Sequence, residues 1–172
     1  KKFNTENFHS FKGIKKGIEN TNYLLKTKNK KFILTIFEKR VSKKDLPFFI
    51  HLMDNLNKLK INCPKPLKTK KETYLIKIKN KSACIVSFLD GKDKKKLSLK
   101  NCYDIGKAVG QLHLSTKKLK LFRNNSMGIK KLNPLLKSIK FKSKKFSKLG
   151  KFLKSNLQDI QNRWPKVLPK GI

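Results

Sequence analysis

Cysteine is scarce in this chain. Its three residues, Cys63, Cys84 and Cys102, are far apart and odd in number, with no CxxC pair and no Cys/His cluster. That excludes a zinc site of the usual spacing and fits a reduced cytosol. Long apolar runs are also missing. None approaches the roughly 18 residues of a membrane span, so no membrane association is expected. No basic n-region, apolar h-region and cleavage site open the chain, and nothing points to secretion. A cytoplasmic location is expected. The first residue is Lys1 rather than Met, so the N-terminus is expected to be incomplete.

Acids are few, 10 against 45 basic residues, and the formal net charge is +35. Such a charge invites a nucleic-acid reading. The kind of base argues against it, because only 3 of the 45 are Arg. Phosphate and base-edge recognition favours Arg, whose planar fork binds bidentately. Lys, Asn and Ile, the residues of A/T-rich codons, are all abundant, so genome composition accounts for much of the charge. The lysines are scattered, with Lys94–Lys96 the longest run. No specific nucleic-acid partner is expected, only non-specific attraction of anions at low salt.

What is present suffices for a lean core. The chain has 172 residues, 37% hydrophobic and 32% charged, enough for one domain or two small lobes. FHSFKGI (8–14), NYLLKT (22–27) and KFILTIFE (31–38) read as three strands, with TKNK (27–30) as a hairpin turn. The period then changes. Asp45 is placed to cap a helix with Pro47 in its first turn, and Leu46, Phe49, Ile50, Met53, Leu56 and Leu59 follow at spacings of three and four. CPKP (63–66) is an extended connector. TYLIKIK (73–79) and SACIVSFL (82–89) are two further strands, the second almost wholly apolar and therefore central, and Cys84 within it reads as a buried thiol. DGKDKKK (90–96) is the expected lobe boundary. Beyond it Ser98 caps a helix whose apolar stripe is Leu99, Cys102, Ile105, Val109 and Leu112. Asn133 caps a short helix, and a longer one spans about 143–163, ended by Trp164–Pro165.

The order is β-β-β-α-β-β, a hinge, then helices. An α+β arrangement of this kind, a five-stranded antiparallel sheet with one helix inserted after its third strand, is the layout of protein-kinase-like phosphotransferases. That is a fold-level analogy and leaves the substrate open. Residues 1–89 are expected to form a nucleotide-binding lobe. Residues 90–172 would be the hinge and the first helical part of a second lobe.

In such a fold the turn between the first two strands covers the nucleotide phosphates. Here that turn is GIENTNY (17–23). Gly13 and Gly17 allow close backbone approach and φ > 0. Asn20, Thr21 and Asn22 offer donors, and Lys15 and Lys16 add charge. The turn is neither a Walker A loop nor the protein-kinase GxGxxG, and by physics alone it also reads as an ordinary polar turn.

The stretch SFKGIKKGIENTNYLLKTKNKKFILTIFEKRV (10–41) resembles the bacterial homoserine kinases of the aminoglycoside-phosphotransferase-like superfamily. The likeness runs on through DLPFF (45–49), NCPKP (62–66), SACIVSFLDG (82–91), GKAVGQLHL (106–114) and WPKVLPKGI (164–172), nearly the whole chain. Its most specific part is G-[IV]-E-N-[TS]-N-[YF] with the EKRV that follows. The resemblance implies transfer of the ATP γ-phosphoryl to the hydroxyl of L-homoserine, giving O-phospho-L-homoserine for threonine synthesis. Mg²⁺ would bridge the phosphates, and an Asp would orient the attacking hydroxyl.

One departure stands out. In the family LPxG[VI] runs into a catalytic loop, HxDxxxxN, with a metal-binding Asp later. The chain ends at Ile172, and no HxDxxxxN occurs in it. His113 is followed by Leu114 and Ser115. The catalytic base and the metal ligands are therefore expected beyond Ile172. The chain reads as an N-terminal fragment, inactive by itself, with apolar helix faces left uncovered.

Two segments are expected at the nucleotide. One is the turn, Gly17, Glu19, Asn20, Thr21 and Asn22. The other is the end of the fifth strand, Ser87, Phe88 and Leu89, whose backbone meets the adenine edge; for Phe88 core packing is the competing reading. The strand-three position that carries a phosphate-pairing Lys in most kinases is Thr35 here. Lys31, Lys39 and Arg40 remain open as substitutes, and Glu38 is either an ion-pair partner or a solvated strand end. His9, His51 and His113 are given no role. Asn124–Asn125–Ser126 is a candidate lining of the substrate side. Three alternatives stay open: a kinase for another small alcohol, a basic nucleic-acid-binding module, or a degenerate enzyme.

Overall fold

The computed structural model describes residues 2–15, 19–38, 42–124, 128–140 and 143–165. Gly17, Lys39 and Arg40 lie outside these, as do Asn125 and Ser126. The chain divides into two compact units, Lys1–Phe122 and Arg123–Gly171.

The first unit is built on five strands: β1 (Ser10–Ile14), β2 (Asn20–Lys26), β3 (Lys31–Phe37), β4 (Ile76–Ile78) and β5 (Lys81–Ser87). They form one antiparallel sheet in the order β1-β2-β3-β5-β4. The β2–β3 turn is closed by Thr27, whose N–H donates to the Lys30 carbonyl at 2.8 Å. Its hydroxyl accepts from the Lys30 N–H at 2.9 Å. The β4–β5 turn uses Lys79 and Asn80, both at positive φ, 43° and 63°. A two-residue hairpin needs that twist, and Asn tolerates it. β4 is shorter than the expected 73–79. The chain before it folds back at Thr69–Thr73, where the Thr69 N–H reaches the Thr73 carbonyl at 2.7 Å.

Alternation along the strands divides the sheet into two faces. One carries Leu25, Phe32 and Ile85, covered by Phe3 of the N-terminal segment. The other carries Ile33, Phe37, Cys84 and Val86, packed against Ile50 and Met53 of helix α1 (Leu46–Lys58). Pro47 stands in the first turn of α1, as expected. Asp45 occupies the N-cap position but makes no side-chain cap bond, its backbone being near-helical (φ −87°, ψ −17°) rather than extended. β5 is an interior strand between β3 and β4 rather than the middle one, and it is buried as expected, with Ala83, Cys84, Ile85 and Val86 all buried.

After β5 the chain is exposed and irregular until α2 (Leu99–Thr116). Ser98 caps it in a box with Asn101. The expected apolar stripe has helical spacing yet does not form core: Leu99 is 90%, Ile105 54% and Val109 45% exposed. In the second unit α3 (Ile129–Ser138) packs against α4 (Lys144–Arg163). α4 starts on a Ser143 hydroxyl that accepts from the Phe146 N–H at 3.3 Å. Asn133 does not cap α3. The helix begins at Ile129 and carries Pro134 inside it, because Ile129 and Leu132 extend the apolar spacing upstream. No helix among the described residues is long and apolar enough to cross a membrane.

Candidate functional site

The turn between β1 and β2 delivers its polar residues to both faces of the sheet. Asn20 and Asn22 open β2 on the α1 face; Thr21 between them points to the other. On the α1 face the Asn20 Oδ1 accepts from the Glu38 backbone N–H at 3.3 Å. The Asn22 Oδ1 accepts from the Thr35 hydroxyl at 2.8 Å. With both oxygens engaged, the NH₂ is the end each amide can offer a ligand. Thr21 does not join them. Its hydroxyl donates to Glu38 Oε1 at 2.9 Å on the opposite face, while Lys81 Nζ holds Glu38 Oε2. The bonds from Lys81, first, and Thr21 keep the Glu38 carboxyl below its ordinary value of 4.5. Glu38 is thus an ion-pair partner rather than a solvated strand end.

Gly13 lies in β1 rather than in the turn, and its backbone is not in the positive-φ region. A methyl there would meet Tyr23 Cε1 at 3.8 Å, an ordinary contact. The expected need for glycine at this position is not met. Glu19 is exposed just ahead of β2.

The second predicted segment sits at the other end of β3 and β5, where Ser87, paired with Phe32, faces away from α1. Ser87 pairs with the connector, its N–H donating to the Lys65 carbonyl at 2.8 Å. Its hydroxyl accepts from the Lys65 N–H at 2.9 Å. Phe88 is half-buried, donates its N–H to the Lys31 carbonyl at 3.2 Å, and lies under Lys31 Nζ at 5.4 Å. Leu89 is exposed. Lys31 also reaches Asp90 at 3.6 Å. It stands four residues from Thr35 on β3, roughly 13 Å at the strand's rise. Lys31 is therefore placed beside Phe88 and not beside Thr35, which removes it as a substitute for the strand-three lysine.

Sequence reasoning missed Lys81, which comes 43 residues after Glu38. It also missed Lys12, which register with Leu24 puts on the α1 face of β1. Counting the alternation back from β2 would have found Lys12. His9, His51 and His113 are exposed, with His51 set edge-on against Tyr74. Asn124 is exposed. Cavities of about 390 and 290 Å³ open around Phe3 and Glu6 on the far face, and a groove of about 590 Å³ flanks α1 at Asp54 and Tyr74; none of the three is lined by Asn20, Asn22 or Thr35. Among the described residues no group of three or more His, Cys, Asp or Glu is gathered closely enough to hold a metal ion.

A model of the phosphotransferase enzyme family (APH) matches residues 10–172. The chain is 37% identical over 164 residues to a homoserine kinase of Afipia carboxidovorans, covering 95% of this chain and 50% of that protein. It is 34% identical over 171 residues to a homoserine kinase of Methylocella silvestris, covering 99% and 53%. The chain thus spans about half the length of the curated relatives it matches. Among solved structures it resembles the amicoumacin kinase hAmiN in complex with AMP-PNP, Ca²⁺ and Ami, with a TM-score of 0.71 at 12% identity over 98% of this chain and 52% of that one. It also resembles spectinomycin phosphotransferase in complex with ADP and spectinomycin, TM-score 0.62 at 12% identity over 96% and 55%. At that identity the likeness establishes the fold alone.

Proposed function

This chain belongs to the phosphotransferase enzyme family, and on that premise we propose that its protein is an ATP-dependent kinase of L-homoserine. The observation that carries the substrate is the run of homoserine kinases matched at 34–37% identity over 95% or more of the chain. The α1 face of the sheet supports the nucleotide half of the reading. At one end lie Phe88, whose N–H is bonded to the Lys31 carbonyl, and Leu89, whose backbone groups are suited to the adenine edge. At the other the NH₂ groups of Asn20 and Asn22 are suited to phosphate oxygens; Gly17, outside the described residues, and Glu19 remain part of the proposal. From Lys31, beside Phe88, it is roughly 13 Å along β3 to the level of Asn22 and roughly 20 Å to that of Asn20, a span of the order of an extended nucleoside triphosphate.

In this reading residues 1–89 are the nucleotide lobe, and residues 90–172 begin the second lobe. The chain's part is to bind and orient ATP. The acceptor would be homoserine, the product O-phosphohomoserine for threonine synthesis, and the location cytoplasmic. Magnesium normally neutralises charge on the transferred group. Among the described residues no three His, Cys, Asp or Glu gather to hold it. With no HxDxxxxN in the sequence, the 172-residue chain is expected to bind nucleotide without transferring phosphate.

Titration of the chain with AMP-PNP tests the first half; no saturable binding would remove it. Phosphate transfer by the product of the whole open reading frame, assayed with L-homoserine, choline and an aminoglycoside, tests the second. Turnover of the aminoglycoside with none of homoserine would move the protein to another branch of the family.

A further inference from the structure

We propose that Glu38 is a positioning residue for the β1–β2 turn, fixing its root to β3 and β5 from the sheet face opposite α1. The inference rests on the reading of that turn as the phosphate-covering segment. It reassigns Thr21 from a phosphate ligand to part of the device that holds such ligands in place.

Three consecutive side chains of the turn all end on the β3 strand or the residue after it. Asn20 takes the Glu38 N–H, Thr21 gives its hydroxyl to the Glu38 carboxylate, and Asn22 takes the Thr35 hydroxyl. The pleat sends them to alternate faces, so the root is gripped from both sides. A carboxylate can only accept, and Glu38 divides its two oxygens between Thr21 and Lys81.

The position is where backbone pairing runs out. The β2–β3 ladder ends at Asn20↔Phe37, and the β3–β5 ladder ends at Ile36↔Ala83. Glu38 lies one residue past the first of these limits. Its carboxylate carries the connection from β2 across to Lys81, the first residue of β5. Among the ten acids of so basic a chain, this one joins the nucleotide turn to the opposite half of the sheet. Because its carboxylate faces away from α1, Glu38 acts on nucleotide through Thr21 and Asn20 rather than by touching it.

The test compares Thr21→Val, Thr21→Ser, Glu38→Gln and the Thr21→Val/Glu38→Gln double variant with the wild-type 172-residue chain. Three quantities are read: the AMP-PNP dissociation constant, hydrogen exchange of the Asn20–Asn22 amides, and the urea midpoint. Loss of the Thr21 bond in Thr21→Val, and of the charge that Lys81 holds in Glu38→Gln, is expected in each case to weaken AMP-PNP about 2- to 10-fold. Amide exchange at the turn root should speed up in both, and in Thr21→Val, which leaves the Glu38–Lys81 pair in place, the urea midpoint should hold. Thr21→Ser keeps the hydroxyl and should behave as wild type. In the double variant the two losses should be less than additive, because the bond that Thr21→Val removes ends on the carboxylate that Glu38→Gln alters. Unchanged affinity in both single variants, or affinity that falls only in step with the urea midpoint, overturns the positioning role. Failure of the wild type to bind AMP-PNP would sink the nucleotide reading instead. The exchange data would then decide alone: unaltered exchange in Thr21→Val overturns the inference.

Discussion

Replacing Ile50 by Ala measures how firmly α1 holds the face that carries Asn22 and Thr35. Ile50 is 2% exposed and packs with Cys84 and Val86, backed by Ile33, Phe37 and Met53. Cys84 is the β5 partner of Thr35 in the ladder, so Ile50 packs beside the site on the same face. The change removes about three carbons, worth about 2.4 kcal/mol at ~0.8 kcal/mol each. A cavity term follows, because a helix clamped against a sheet relaxes only in part, and the total should reach about 3–4 kcal/mol. Against the 5–15 kcal/mol typical of a domain that is a large fraction. With an m-value of about 2 kcal/mol/M, the urea midpoint should fall by about 1.5–2 M. Ile105→Ala in α2 is the matched control. That side chain is 54% exposed, and its loss should cost less than about 0.5 kcal/mol. A small shift for Ile50→Ala, or equal shifts for the two variants, would refute the packing of α1 on this face.

Burial pushes the Cys84 thiol up to about 12 and raises Cys63 to a lesser degree, while Cys102 is exposed. Iodoacetamide at pH 8 should therefore label Cys102 first, Cys63 slowly and Cys84 only in denaturant. Early loss of the Cys84 thiol in native protein would contradict the buried β5. Glu38, held down by Lys81 and then Thr21, has a folded value below its ordinary 4.5. Its stabilisation is present above pH 4.5 and lost as pH falls through the folded value. The difference in urea midpoint between wild type and Glu38→Gln should shrink below about pH 4.5; a difference that grows on acidification would reverse the sign. Ser98→Ala removes the α2 capping box. It should weaken that helix start by about 1 kcal/mol, seen as faster amide exchange over the first turn. Unchanged exchange there would mean the box contributes nothing.

Much of the frame was legible along the chain, because strands, turns and helices are announced by local chemistry. The Ile- and Phe-rich runs became β3 and β5, Pro47 marked the start of α1, and Ser98 and Ser143 each found the N–H three residues on. The motif Glu19–Tyr23 also stood out by composition, since it carries more polar groups than a turn needs. What each group is for depended on distance in three dimensions. Thr21 finds Glu38 17 residues away, and Glu38 finds Lys81 43 residues away. Only the strand register brings them together. The same holds for Lys31, whose charge suits either end of β3 until the sheet places it on Phe88. It holds again for α2, whose apolar stripe has the spacing of a packed helix yet lies exposed. Periodicity along a chain reports which side chains share a face. What that face meets, and which far residue completes a hydrogen bond, is decided when remote segments come into contact.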